Sequence, residues 1–529
     1  MKNILITSAT FILMTSSLVS CSKLDENPKT SIASTSFYKT QSDAVAAVTA
    51  AYSTLSTDIN ADFPIYGRNL NLIIDNTSDN QVYSPSNTNP DVRALGTATY
   101  ISSNDRVHKI YAQLYWGIDK ANVAIDNIPT IPASQFVDVT HPAVNLIREA
   151  KFIRALYYFN LVRLFGPVPL VLHDAGDVTT ANELVGRAPT DSVYAQIISD
   201  LTDATNLPGT YSPVTDGADI GRVTAGAAHA LLSKVYATRH DWTDAEKELL
   251  KTLTAGTVTG ATGTYGYDLF PLFSHIFQTA YKNGIEHIFS AQFKYNGGAV
   301  NSQQNLSNGD FSTFTTSTYT GDIPADSTIV NLFDVADQRR NVTFFDSLKN
   351  GTKTVKWPYY NFAKYIDSSV SPITSQTLSG VNFPIIRYAE ILLLQAETLN
   401  ELNGGPTADA YAAINIVRAR AYGVYGGGGT YSITTHDLTP GLNQADFRDS
   451  VYLERRKEFI QESQRWFDLV RRSGQDGLPA GQYYLNAVHG MLGNPKAAAT
   501  LKDTLFPIPQ TEIDLYAGQN PNFYQNPGW

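Results

Sequence analysis

The densest run of chemistry-bearing side chains lies between residues 454 and 468, where Glu454, Glu458, Glu462 and Asp468 are interleaved with Arg455, Arg456 and Arg465. Paired carboxylates are the equipment of glycoside hydrolysis: one protonates the leaving oxygen and the other attacks or activates water. The same stretch spaces Tyr452, Phe459 and Trp466 seven residues apart, and likewise Leu453, Ile460 and Phe467. That spacing predicts one packing helix over residues 450–472, with Glu462 and Arg465 as an ordinary intrahelical pair. These carboxylates are expected to pair with arginines, and no enzymatic activity is expected.

Other candidate chemistry is thinner. The nine histidines are scattered and form no HxH or HxxxH pair, so zinc ligation has no support and no metal ligands are assigned. Gly426–Gly429 lacks the following Lys-Ser/Thr of a phosphate cradle and reads as a loop. Asp75, Asp79 and Asn80 offer oxygen atoms that a structural calcium could take, without the spacing of an EF-hand. No other cofactor is expected.

Binding is better supported. The chain has 30 Tyr and 24 Phe against 5 Trp, and tyrosine combines a flat apolar face with a polar tip. Sugar rings present C–H faces edged by hydroxyls, so they need aromatic platforms beside Asn, Asp, Gln or Arg. Two irregular stretches supply such neighbours, and the candidate contacts are Tyr66, Tyr83 and Tyr100 in the first and Tyr295, Asn296, Tyr319 and Trp357 in the second. Asn, Ser and Thr in the same stretches could pair instead with a peptide backbone.

The single cysteine, Cys21, is chemistry of another kind. It follows an apolar leader broken by Thr and Ser, with Lys2 at its start and Leu18-Val19-Ser20 before the thiol. Residues 1–20 read as a secretory signal too short and too polar to span a bilayer. The junction resembles the lipobox of bacterial lipoproteins, which implies acylation of Cys21 as a lipid anchor (palmitate among its acyl chains) and a polar tether over residues 22–31. No later stretch is apolar enough to cross a membrane.

The elements that must position these residues are mostly helices. Apolar periodicity predicts them at 44–55 (capped by Ser42-Asp43), 106–128, 149–165, 224–238, 243–253, 387–402 and 408–421, besides 450–472. Short turns at His240-Asp241-Trp242 and Asn403-Gly404-Gly405-Pro406 join two of the pairs, as in tetratricopeptide hairpins. Residues 75–105 read as a functional or poorly ordered loop, and 255–385 as loops with short strands. The helical scaffold therefore covers mainly 32–254 and 386–529, with an irregular insertion between. The fold class is mainly α: helix pairs bearing long irregular loops and a few short strands that form a ligand face. A formal charge of −10 argues against a nucleic-acid partner, because phosphate binding needs clustered Lys and Arg.

Several segments resemble the SusD/RagB family of outer-membrane nutrient-binding lipoproteins. They include Arg154-Ala155-Leu156-Tyr157-Tyr158-Phe159, Phe165-Gly166-Pro167-Val168-Pro169, Gly221-Arg222-Val223-Thr224, Arg387-Tyr388-Ala389-Glu390, Glu454-Arg455-Arg456-Lys457-Glu458-Phe459 and Arg465-Trp466-Phe467-Asp468. The resemblance implies a non-enzymatic protein that binds oligosaccharide or polysaccharide on the cell surface. It also implies a partner, a SusC-like TonB-dependent transporter in the outer membrane. The same scaffold binding peptides is the alternative, with a surface hydrolase behind it. Asp25-Glu26, soon after Cys21, resemble a surface-export signal.

Overall fold

A computed structural model describes residues 37–58, 63–85, 87–174, 185–210, 219–294, 322–325, 327–350, 353–366, 379–472 and 477–529. Helices dominate it, and the strands among the described residues form five two-stranded antiparallel sheets.

The first long helix, Gln41–Ser53, is capped by Thr40. The Thr40 hydroxyl accepts from the Asp43 N–H, while the Asp43 carboxylate accepts from the Thr40 N–H at 2.8 Å. Asp43 thus serves from the third helical position, and the helix starts earlier than the expected Ser42-Asp43 cap. Asp105–Asn127 and Ala143–Phe165 pack side by side. Gly117 makes their contact close, since a Cβ there would fall 2.2 Å from the Tyr157 ring. Ala143–Phe165 is buried over almost every residue from Phe152 to Phe165 and ends at Gly166, whose φ is +70°. Thr190–Ala204 covers its other side.

Two further pairs complete the scaffold. Ala225–Thr238 folds back on Trp242–Thr252, and Tyr388–Leu402 on Ala408–Ala421. Trp242–Thr252 also packs against Tyr388–Leu402, which links the pairs across the insertion. The result is the mainly α helix-pair scaffold expected, with one large apolar core running through it. Within the insertion, strand His287–Ala291 pairs with Phe383–Arg387, and both are buried throughout.

Residues 450–472 do not form one helix. Gln444–Glu458 ends, the chain turns through Gln461 and Ser463 at φ of +67° and +55°, and Arg465–Arg471 starts a second helix. The seven-residue spacing therefore reflects two short helices buried in the same core. The carboxylates on the two sides of the break share one buried ion cluster. Arg387 reaches Glu458 at 2.5 Å, Glu462 at 2.7 Å and Glu286 at 2.9 Å; Arg339 reaches Glu458 at 2.9 Å and Glu454 at 2.6 Å. Arg420 joins Glu286 at 3.0 Å and also bonds Glu458, and Lys364 bonds Glu462 at 2.8 Å. The expected Glu462–Arg465 pair is replaced accordingly, because Arg465 turns to Asp79.

Candidate functional site

The stretch expected as a loop over 75–105 starts as a buried polar strut. Asp75, Asn76, Thr77, Ser78, Asp79, Asn80 and Gln81 are all buried. Such groups are tolerated only when partnered. Arg465 grips Asp79 through two bonds, Nε to Oδ1 at 2.7 Å and Nη2 to Oδ2 at 2.9 Å. Arg456 donates from Nε to Asn80 Oδ1 and from Nη2 to the Asp79 carbonyl, both at 2.9 Å. Lys496 Nζ donates to the carbonyls of Asn76 at 2.6 Å and Gln81 at 2.9 Å. The arginines of the carboxylate-rich segment thus act as a clamp on this strut.

Burial works to raise the Asp79 pKa, but Arg456 and Arg465 outweigh it and hold the carboxyl well below the usual range. Asp75 lacks such a partner, and burial pushes it up to about 7. The oxygens of Asp79 and Asn80 considered for calcium are thus taken by guanidinium groups. Among the described residues no group of three His, Cys, Asp or Glu is placed to hold a metal ion.

The strut leads directly into strand Gln81–Tyr83, which pairs with Asp322–Pro324 in the register Tyr83 to Asp322. Strand Asp322–Pro324 also packs against Lys353–Phe362, the longer arm of a hairpin with Phe344–Asn350. The two irregular stretches, far apart in sequence, therefore meet on a single short strand. Buried Asp322 accepts from the side-chain amides of Asn76 and Asn87, each at 3.4 Å, and burial raises its pKa to about 6.

Tyr83 is the one sequence candidate among the described residues that is half-exposed here. Its inner edge packs on Leu72 and Val92, and its ring lies so close to Gly96 that a Cβ there would sit 2.8 Å away. The Arg93 guanidinium stands 5.2 Å from the ring centroid. Tyr359 and Tyr360, on the hairpin arm, are half-buried, and Arg340 Nη2 donates to the Tyr360 hydroxyl at 3.4 Å. Helix Pro90–Gly96 carries Arg93; it was legible in principle from Asn89-Pro90, an N-cap followed by proline at the first helical position.

The other candidates are placed differently. Tyr66 is 3% exposed, accepts from Asn160 Nδ2 at 2.8 Å and packs its ring on Phe383. Tyr100 is 2% exposed between Phe506 and Trp529. Both are core rings, because the segments flanking them run into the helical scaffold. Trp357 is buried edge-on against Phe345. Tyr295, Asn296, Tyr319 and Cys21 lie outside the described residues. Gly426–Gly429 closes a tight hairpin, in which the Gly428 N–H donates to Asp268 at 2.8 Å. Among the described residues no helix is long and apolar enough to cross a membrane.

Comparison with known proteins agrees with this architecture. Residues 259–529 match the profile of the SusD family, and residues 24–237 match a family described as starch-binding associating with outer membrane. The SusD-like protein P2 of Formosa agariphila is 28% identical over 551 residues, covering 98% of this chain and 99% of that one. A SusD homologue of Bacteroides thetaiotaomicron superposes with a TM-score of 0.77 at 25% identity, over 94% of this chain and 98% of the other. Surface glycan-binding protein A of the same organism, solved in complex with laminarihexaose, shares the fold with a TM-score of 0.71 at 20% identity, over 92% of this chain and 100% of that one.

Proposed function

The chain belongs to the SusD family, and on that premise we propose that it binds an oligosaccharide or polysaccharide at the cell surface without hydrolysing it. In this reading it then delivers the glycan to a SusC-like TonB-dependent transporter in the outer membrane, to which Cys21 tethers it. The observation that carries the binding step is the half-exposed Tyr83 ring beside Arg93, on a strand that joins both irregular stretches. Such a ring offers a C–H stacking face, and the guanidinium offers donors to hydroxyls. Tyr295, Asn296 and Tyr319 are proposed to join it. The laminarihexaose complex of a relative with this fold supports a glycan as the ligand class.

The carboxylates of the Glu454–Asp468 run support a non-hydrolytic role. A glycosidase acid must stay protonated near neutral pH. At Glu458 burial pushes the pKa up, but Arg420, Arg387 and Arg339 outweigh it and hold the group ionised. Every carboxylate of the Glu454–Asp468 run is spent on arginine or lysine.

Isothermal titration of the mature protein against a panel of polysaccharides and their oligosaccharides tests the proposal. Tyr83→Ala is expected to weaken the best ligand about tenfold, a loss of roughly 1.4 kcal/mol. Silence across the panel, or recovery of peptides alone from protein purified out of native membranes, would replace this reading.

A further inference from the structure

A second cleft, of about 290 Å³, opens between the start of helix Ala225–Thr238, residues 265–267, the turn at Asn283-Gly284 and strand His287–Ala291. Among the described residues, none of those placed at the Tyr83 face lines it. Its size lies just under the roughly 300 Å³ at which small-ligand sites start.

Tyr265 and Tyr267 form one wall, with ring centroids 5.7 Å apart and planes inclined by 43°. Gly266 between them has a φ of +72°, and a Cβ built there would meet no residue beyond its two chain neighbours within 4 Å, so the backbone at this point of the wall borders open space. The opposite side carries Arg222 and Ser290. The Ser290 hydroxyl and Arg222 Nη2 are buried and have no hydrogen-bond partner among the described residues. Asn283 stands at the rim, its amide exchanging two bonds of 2.9 Å with the Gln292 amide.

The charge balance selects among ligands. Arg222 is already compensated, with Nε 2.9 Å from Glu149 and 3.7 Å from Asp219, so it holds no surplus charge for an anion. Among the described residues no carboxylate lines the cleft to hold a cation. Burial lowers the His287 pKa to about 4, so the lining imidazole is neutral as well. Two tyrosine rings with hydroxyl, amide and guanidinium donors match a molecule that has C–H faces and many hydroxyls. We propose that this cleft is a second binding site, independent of Tyr83, for a neutral carbohydrate unit. With both sites on one chain, a polysaccharide engaged at both would be held by avidity.

Saturation-transfer NMR can separate the sites, using cellobiose, maltose, laminaribiose and lactose as neutral probes and glucuronate as the charged control. In the Tyr83→Ala background at least one neutral disaccharide is expected still to bind, with glucuronate weaker. Adding Tyr265→Ala should remove that signal. Asn283→Gly is the second variant, chosen because Asn283 has a φ of +53° that glycine adopts without strain; it should weaken the signal even if Tyr265→Ala fails to fold. Absence of every neutral probe in the Tyr83→Ala background overturns the proposal. So does a signal that survives in both cleft variants, or one stronger for glucuronate.

Discussion

At the scale of single residues, the proposed binding face is held in place by buried groups behind it. The Arg465–Asp79 pair is buried and bidentate, and removing one partner of such a pair strands a charge in low dielectric. Arg465→Met is therefore expected to destabilise the protein by about 3–5 kcal/mol in urea denaturation. A change smaller than about 1 kcal/mol, the level of an exposed pair, would show that Asp79 is hydrated and the clamp is not needed. Arg93 makes the contrasting case. It lies over Tyr83 on a solvent-facing helix, where a cation–π contact is worth about 0.5–1 kcal/mol. Arg93→Ala should leave the melting temperature almost unchanged and weaken glycan affinity roughly threefold in titration, about the same energy. Equal affinity would mean that the guanidinium only shields the ring.

At the scale of elements, the strut from Asp75 to Gln81 couples the face to pH. Burial lifts Asp75 to about 7, whereas an unfolded aspartate titrates near about 3.9. Between about pH 4 and pH 7 the native state keeps a proton that the unfolded chain has lost, so stability falls as pH rises through that window. Asp322, raised to about 6, adds to the same slope over its lower part. His287, lowered to about 4, opposes it, because the unfolded imidazole binds a proton that the buried one refuses up to about pH 6.5. Asp79 and Glu458, both held low by arginines, lose their stabilisation only as pH drops below the ordinary carboxylate range. Asp75→Asn is expected to flatten the decline between about pH 4 and 7 and leave the acid limb intact, read from urea midpoints at each pH. A slope identical to the parent would place the titrating proton elsewhere. This strut is also where sequence reading fell short. The helix pairs were legible because their apolar stripes are local: Ala225–Thr238 and Ala408–Ala421 begin and end within a residue or two of the periodicity. A run of Asp, Asn, Ser and Thr looks like a solvated loop unless its distant partners are known. Here they are Arg456, Arg465 and Lys496, more than 370 residues away in sequence. The helix break near Gln461 escaped as well, since the seven-residue apolar spacing continues across it, while the partners of Glu458 and Glu462 lie on other elements. Of the candidate rings, Tyr83 was distinguishable from Tyr66 and Tyr100 only by packing that no local pattern reports.

At the scale of the whole molecule, the helical body is proposed to carry the binding face and an N-terminal segment the address. A body held by one large core and a buried ion network has little reason to change shape when the chain near Cys21 is altered. Anchor and affinity should then separate cleanly. Cys21→Ser, expressed in the native host, is expected to move the protein from the membrane fraction to the soluble fraction. Its solution affinity for the best glycan should stay within about twofold of the parent, under 0.5 kcal/mol. Tyr83→Ala should do the reverse, staying on the membrane while losing affinity. Growth on that glycan separates the two roles further: confinement near a transporter mouth raises effective concentration without adding any contact. The Cys21→Ser strain should therefore be impaired at low glycan concentration and recover at high concentration. An uptake defect that persists at saturating glycan would assign the anchor a role in assembling the transporter complex rather than in concentrating ligand.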